Sequence, residues 1–250
     1  NLFAGKDILL RIDPGYGHGH HRYVCTGGSD SKFGIPISQL SEIKPCLQKH
    51  KITVIGLHTH AGSGILQSNL WRDNAYMLLG LLDQFPDVKI LNLGGGLGIP
   101  SKPAESALDL KEFNESLQDI KNTYPHLQLW LEPGRFLVAN SGVLLTRVTQ
   151  VKEKQGICFI GVDTGMNSLI RPALYGSHHE IVNLSRLEYP LTLVAHIVGP
   201  ICESGDVLGY GRSLPDTKEG DILLIAHAGA YGYSMASNYN LRAPASEIFI

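Results

Sequence analysis

The sequence predicts an α/β fold with a parallel sheet, open or closed into a barrel, followed by a second domain built from β-strands. Two patterns carry this prediction. In the first half, short apolar runs alternate with amphipathic helical stretches at a period of roughly 35 to 45 residues, which is typical of β-α-β-α folds. After about Leu137, short β-rich runs follow one another without an amphipathic helix between them. We therefore expect domains over residues 1–138 and 139–250.

The individual elements follow from the same patterns. In the first half, we predict strands over residues 8–12, 53–58, 88–93 and 128–131, and helices over residues 38–50, 69–84 and 107–123. In the second half, we predict strands over residues 143–151, 158–163, 189–198, 221–228 and 247–250. In parallel α/β sheets, functional groups collect at the carboxyl ends of the strands, so we expect site residues directly after the first-half strands.

Composition excludes several classes of protein. The formal net charge of −2 gives no reason to expect a nucleic acid or an anionic membrane surface as partner. No apolar run approaches the roughly 18 residues that a membrane span needs. No C-x-x-C pair is present, which argues against a zinc ribbon or a redox dithiol, and we expect free thiols in a reducing cytoplasm. The four cysteines are Cys25, Cys46, Cys158 and Cys202.

A Gly/His loop raises the question of a metal site. His18, His20 and His21 lie close together in sequence, but their spacing matches neither a helix face nor a strand face. No carboxylate lies nearby. We therefore predict no metal site.

Three consecutive glycines, Gly94, Gly95 and Gly96, follow the apolar run over residues 88–93. A turn without Cβ atoms lets the backbone approach a ligand, and its N–H groups can point at a phosphate. The dinucleotide fingerprint is excluded because its last glycine would fall on Ile99. The alternative is a tight strand-to-loop turn that binds nothing.

Other polar residues stand at neighbouring strand ends. His60 and Ser63 follow the predicted strand over residues 53–58, and Glu132 and Arg135 follow the one over residues 128–131. Glycine N–H groups and a guanidinium suit a phosphate, a histidine ring suits stacking, and a carboxylate suits a basic ring nitrogen. Pyridoxal 5′-phosphate (PLP) fits this set, since an acidic partner keeps its pyridine nitrogen protonated.

Five ordered motifs, at residues 56–64, 94–96, 132–135, 200–206 and 229–232, resemble those of the fold-type III PLP-dependent amino-acid decarboxylases. Within this family of ornithine, diaminopimelate and arginine decarboxylases, residues 26–34, 170–175 and 231–240 are most similar to the branch that acts on meso-diaminopimelate. The resemblance implies the C-terminal half of an alanine-racemase-like (β/α)8 TIM barrel, followed by an all-β domain of Greek-key or sandwich type.

The resemblance also implies roles for single residues. His60 would stack on the cofactor ring as part of the catalytic machinery, and Glu132 would bind the pyridine nitrogen. The remaining cofactor-binding residues would be Ser63, Gly94, Gly95, Gly96, Gly134, Arg135 and Tyr231.

The substrate would be held by Arg135, Arg171, Tyr175 and Tyr231, with Glu203 reading its distal amino group. Cys202 would be the catalytic proton donor after carbon dioxide leaves. In the family, the Cys-Glu segment crosses to a second subunit, which implies a homodimer with shared sites.

Several of these residues have a simpler reading. Cys202 could be a small buried residue. Arg171 and Tyr175 could form a surface ion pair and a packing pair. His58 reads as a satisfied structural histidine, and His178 and His179 read as solvent-facing residues of a polar turn.

The implied activity is the decarboxylation of meso-diaminopimelate to L-lysine, the last step of lysine biosynthesis. The alternatives are a decarboxylase of ornithine, arginine, lysine or carboxynorspermidine, and a non-catalytic PLP-binding homologue. The family holds its cofactor through a lysine at the end of the first barrel strand, and no lysine here ends an apolar strand. We therefore expect an N-terminally incomplete chain that is inactive by itself.

Overall fold

The computed structural model describes residues 2–19, 27–28, 31–60, 62–102 and 104–250. The chain forms two compact units. The first comprises Asn1–Pro100 with Ser106–Phe136, and the second comprises Ser101–Glu105 with Leu137–Ile250.

The first unit is an α/β layer. Its strands are β1 (Asp7–Asp13), β2 (His18–Gly19), β3 (Ile35–Pro36), β4 (Thr53–His58), β5 (Gly62–Ser63), β6 (Ile90–Asn92) and β7 (Gln128–Trp130). Its helices are α1 (Leu40–Lys49), α2 (Asn69–Leu79) and α3 (Leu110–Thr123), and α4 (Arg135–Val138) begins at its end. Single 3-10 turns cover Ile37–Gln39 and Leu82–Gln84.

Five strands of this unit form one parallel sheet in the order β3-β1-β4-β6-β7, and β2 pairs with β5 separately. The predicted partial TIM barrel is confirmed. Helices α2 and α3 meet through Trp71 and Phe113, whose rings pack edge to face with centroids 5.2 Å apart. Trp71 is among the largest fully buried side chains, so this contact anchors the helical layer in the apolar core.

Two predicted helices of this unit are too long. Helix α2 ends at Leu79 because the chain leaves the helix at Gly80, whose N–H still donates to Tyr76 O at 3.1 Å. Helix α3 begins at Leu110 because the Asp109 carboxylate caps its first turn.

The second unit is a β-domain. Its strands are β8 (Leu144–Lys154), β9 (Ile157–Val162), β10 (Ile181–Asn183), β11 (Leu193–Val198), β12 (Val207–Leu214) and β13 (Ile222–Ile225), and its short helix is α5 (Arg171–Tyr175). Further 3-10 turns cover Ala139–Ser141, Leu184–Arg186, Tyr233–Met235 and Tyr239–Leu241. The strands form one sheet in the order β10-β13-β8-β9-β11-β12. All neighbours are antiparallel except β9 and β11.

The predicted all-β domain is confirmed, but the strand assignment differs at three places. Strand β12 was not predicted because Gly209 and Gly211 interrupt its apolar pattern, and β10 is only three residues long. The predicted strand over residues 247–250 is wrong. Those residues are exposed and form no strand.

No helix in the described part of the chain is both long and apolar enough to cross a membrane.

Candidate functional site

The carboxyl ends of three neighbouring strands hold the first group of predicted site residues side by side. Backbone hydrogen bonds continue past the strands: Thr59 N–H donates to Asn92 O at 2.9 Å, and Glu132 N–H donates to Gly94 O at 2.8 Å. The segments after β4, β6 and β7 are therefore fixed in register. This brings His60, the glycine turn (Gly94, Gly95 and Gly96) and Glu132 to one edge of the sheet.

The glycine turn has no room for side chains. A Cβ atom on Gly95 would lie 2.2 Å from Glu132 O, and one on Gly96 would lie 2.4 Å from Gly62 O. The equivalent atom on Gly94 would lie 2.5 Å from Thr59 O. The close packing of adjacent backbone segments therefore requires these glycines. The sequence had suggested only that they let a ligand approach.

Two of the three N–H groups in the turn have protein partners and so are not available to a phosphate. Gly94 N–H donates to Asn92 Oδ1 and Gly95 N–H donates to His60 Nδ1, each at 2.9 Å. Gly96 N–H donates to no acceptor within the described residues. One turn N–H therefore remains available to an anion.

His60 is held in one tautomer. Its Nδ1 accepts from Gly95 N–H, so the neutral ring carries its proton on Nε2. Burial lowers the pKa of His60, the positive charge of Arg11 lowers it further, and Glu132 acts in the opposite sense. A neutral, fixed ring at this edge suits stacking on a flat ligand.

The carboxylate of Glu132 is anchored at one oxygen and about half exposed. Asn92 Nδ2 donates to its Oε1 at 2.8 Å, and 53% of its side chain is exposed. His58 Nε2 lies 3.6 Å from its Oε2. In the part of the chain that the structure describes, this His58 nitrogen makes no hydrogen bond, so the reading of His58 as a satisfied structural histidine is wrong.

Sequence reasoning missed Arg11, which extends from β1 into the same group. Its Nη2 donates to His60 O at 3.5 Å, and its guanidinium lies 4.6 Å from the centre of the Phe33 ring. Burial lowers the pKa of Arg11, while the charges of Glu132 and Asp13 raise it. The sequence did contain an indication of this role, because Arg11 is a charged residue inside the apolar run of residues 8–12.

Sequence reasoning also missed Trp71, which is hydrogen-bonded to the glycine turn. Its indole Nε1–H donates to Gly95 O at 3.2 Å in a buried environment. The same residue thus links helix α2 to the turn.

We expect Trp71→Phe to destabilise the full-length protein by about 1–3 kcal/mol, because Gly95 O loses its buried donor while the aromatic packing is largely kept. Urea unfolding measures this loss. Trp130→Phe is the matched control, since the exposed Trp130 donates only to Gln128 Oε1, and its effect should stay within about 0.5 kcal/mol. Equal effects of the two changes would contradict this role of Trp71.

In the second unit, Asp206 shapes the loop that carries Cys202 and Glu203. Its Oδ1 accepts from Met166 N–H at 2.6 Å, and its Oδ2 accepts from Ile201 N–H at 2.8 Å. Burial raises the pKa of Asp206, whereas these two hydrogen bonds act to lower it. Cys202 is exposed, so its reading as a small buried residue is wrong.

Glu203 lies on the outside of this loop. Its Oε2 accepts from the Tyr239 hydroxyl at 3.2 Å, and its Oε1 accepts from Gly205 N–H at 3.4 Å. The hydrogen bond to Glu203 raises the pKa of Tyr239. The residue is thus exposed but oriented by two donors.

Arg171 is 6% exposed, so its reading as half of a surface ion pair is wrong. Its guanidinium carbon lies 5.9 Å from the ring centre of Tyr231. His179 is 2% exposed and accepts from Arg171 Nε at 3.4 Å, so the expectation that it faces solvent is also wrong.

Burial lowers the pKa of His179 to about 4, with further lowering by Arg171, His227 and His178. The unfolded chain therefore binds a proton between pH 6.5 and 4 that the folded protein does not, and stability falls as the pH is lowered through this range. The largest possible loss is about 3 kcal/mol. We expect His179→Gln to flatten the pH dependence of urea unfolding relative to wild type, and parallel curves would contradict this.

The remaining predicted residues have defined positions. Ser63 lies in β5, Gly134 precedes α4, and Arg135 is the first residue of that helix. Tyr175 ends α5, and Tyr231 is exposed. His20, His21 and Cys25 lie outside the described residues. Among the residues that are described, no group of three or more His, Cys, Asp or Glu side chains could hold a metal ion.

Comparison with known families decides what this edge of the sheet belongs to. Residues 1–139 match the family described as "Pyridoxal-dependent decarboxylase, pyridoxal binding domain". The chain belongs to this family. The resemblance found in the sequence is confirmed, and so is PLP as the cofactor of the family.

Members of the pyridoxal-dependent decarboxylase family resemble the chain beyond the matched domain. Diaminopimelate decarboxylase of Escherichia coli K12 is 39% identical over 98% of this chain, and the chain spans 62% of the length of that relative. A crystal structure of a diaminopimelate decarboxylase superposes with a TM-score of 0.85 at 39% identity, covering 96% of this chain and 61% of that one. The Helicobacter pylori enzyme complexed with L-lysine gives a TM-score of 0.82 at 31% identity, covering 96% and 60%.

The residues of the first unit fit the pyridoxal group. Gly96 N–H is a donor without an acceptor among the described residues, which suits a phosphate oxygen. The half-exposed carboxylate of Glu132 suits a protonated ring nitrogen, and the fixed ring of His60 suits stacking. These are the chemical requirements of the family's cofactor.

Proposed function

We propose that the full-length protein is a PLP-dependent decarboxylase that converts meso-diaminopimelate to L-lysine. The observation that supports the substrate most strongly is the 39% identity, over 98% of this chain, to the E. coli diaminopimelate decarboxylase. The bound L-lysine in the H. pylori structure supports the same choice, because lysine is diaminopimelate without one carboxylate.

The first unit would bind the cofactor. Gly96 N–H, with Ser63, Gly134 and Arg135, would hold the phosphate, and His60 would stack on the ring. Glu132 would pair with the pyridine nitrogen and keep it protonated, with its orientation set by Asn92. When bound, PLP supplies an electron sink for the pair of electrons left when carbon dioxide departs.

Among the residues of the second unit, Tyr231 would bind phosphate and substrate, and Arg171, Tyr175 and Glu203 would bind the substrate. Arg135 of the first unit would also bind a substrate carboxylate. A guanidinium that binds a carboxylate stabilises the ground state. Arg171 therefore suits the carboxylate that the substrate keeps, and not the one that it loses. Glu203 would accept the distal ammonium group, which an anion oriented by two donors is suited to bind.

Cys202 would protonate the product carbon, since its thiol is exposed on the loop that Asp206 orders. Because Cys202 and Glu203 both stand on the surface of the second unit, they are accessible to a second subunit. We propose a homodimer with shared sites, in which these exposed residues would meet the second subunit. We place the enzyme in the cytoplasm.

The test is a product analysis. Full-length protein loaded with PLP should release carbon dioxide and L-lysine from meso-diaminopimelate in equal amounts. Removal of PLP should abolish the reaction, and its return should restore it. Binding of PLP without release of carbon dioxide from any amino acid would instead identify a non-catalytic homologue and contradict the proposal.

A further inference from the structure

The side chains of His179 and Ser177 both accept hydrogen bonds from the buried guanidinium of Arg171. Its Nε donates to His179 Nε2 at 3.4 Å, and its Nη2 donates to Ser177 Oγ at 3.3 Å. Because the two contacts start from different nitrogens of a planar group, together they fix the plane of the guanidinium. Arg171, Ser177 and His179 are each less than 10% exposed, so water competes weakly for these contacts.

His179 is itself anchored on its other nitrogen. Its Nδ1 lies 2.8 Å from Ala226 O, and a carbonyl oxygen only accepts, so Nδ1 carries the proton. The lone pair of Nε2 therefore faces Arg171. The charged and titratable groups that act on His179 are Arg171, His178 and His227, and all three favour the neutral ring.

The hydrogen bond from His179 to Ala226 O also connects Arg171 to the segment that carries Tyr231. Ala226 directly follows β13 and begins the segment of residues 226–231, which ends at Tyr231. The Tyr231 ring centre lies 5.9 Å from the Arg171 guanidinium carbon. One imidazole thus bridges the Arg171 side chain and the base of the segment that carries Tyr231.

We propose that His179 is a positioning residue that orients the Arg171 guanidinium, relative to the Tyr231 segment, for the carboxylate that the substrate retains. This inference rests on the proposed role of Arg171 in substrate binding. It predicts an effect of His179 on the affinity for substrate and product, and little effect on the chemical step.

Two variants separate the contacts of His179. His179→Asn keeps a donor close to Ala226 O but withdraws the acceptor from Arg171. His179→Gln places an amide oxygen near the position of Nε2 and so restores the acceptor. His126→Asn is the matched control, since His126 is exposed and lies in the first unit.

In full-length, PLP-loaded protein, we expect His179→Asn to raise the Kd for L-lysine, measured by calorimetry, and the KM for meso-diaminopimelate roughly ten-fold. The value of kcat should change less than about three-fold, because the reacting groups are untouched. His179→Gln should return both constants to within about three-fold of wild type. In an Arg171→Ala background, His179→Asn should raise the Kd no further.

The following outcomes would contradict the inference. If the Kd for L-lysine is unchanged in His179→Asn, or rises equally with and without Arg171, the inference is overturned while the proposed function stands. If His179→Asn does not fold, a folded His179→Gln protein with a ten-fold weaker Kd overturns it as well. A wild-type protein that neither turns over meso-diaminopimelate nor binds L-lysine overturns the proposed function and the inference with it.

Discussion

Gly95→Ala should destabilise the full-length protein by about 3 kcal/mol or more and should abolish stable PLP binding. The new Cβ would lie 2.2 Å from Glu132 O, and this backbone atom cannot rotate away as a side chain can, because the Glu132 N–H is hydrogen-bonded to Gly94 O. Relief of this clash must separate the segments that follow β6 and β7. The hydrogen bonds of Gly95 to His60 and Trp71 would be lost with them. Urea unfolding and the absorbance of bound PLP measure the two effects.

Gly80→Ala is the control for this change. Gly80 follows helix α2 with a φ of −63°, and a Cβ there would lie 3.4 Å from Met77 O, which is ordinary contact. Its effect on stability should be within about 1 kcal/mol of zero. Retention of PLP and stability by the Gly95→Ala protein would show that the turn does not pack as described.

Glu132→Gln should lower kcat/KM for decarboxylation roughly 100-fold while the protein stays folded. A glutamine oxygen can still accept from Asn92 Nδ2, so the local geometry is preserved and only the charge is removed. Without the negative charge, the pyridine nitrogen loses the partner that keeps it protonated. Steady-state kinetics measures the loss, and circular dichroism checks the fold.

Glu115→Gln provides the comparison for this loss of charge. Glu115 is exposed on helix α3 and lies 3.9 Å from Lys111 in an i,i+4 pair, which is worth a few tenths of a kcal/mol. We expect its kcat/KM to equal that of wild type. A Glu132→Gln enzyme as active as the Glu115→Gln enzyme would remove Glu132 from the mechanism.

The sequence was sufficient for the features that depend on periodicity. The apolar runs predicted β1, β4, β6 and β7, and β4 has the predicted bounds. The position of functional residues at strand ends then follows from the parallel sheet, which is why the sequence alone predicts His60, the glycine turn and Glu132 on one edge.

Features that depend on tertiary contacts could not be predicted. Arg11 and Trp71 join the site through atoms that are distant in sequence, namely His60 O and Gly95 O. His179 stands in a polar stretch that looks exposed, yet it is buried because Arg171 and Ala226 O satisfy both of its nitrogens. The polarity of a segment predicts exposure only where no such partners converge.

The proposed substrate is tested most directly by the ratio of kcat/KM for meso-diaminopimelate to that for ornithine, measured on full-length protein loaded with PLP. Ornithine has a distal amino group but no second carboxylate, so it can engage Glu203 and cannot engage Arg171 through a retained carboxylate. Loss of one charged contact of this kind lowers kcat/KM roughly 100-fold. We therefore expect a kcat/KM ratio of at least about 100 in favour of meso-diaminopimelate. A ratio of one or less would contradict the assignment to diaminopimelate.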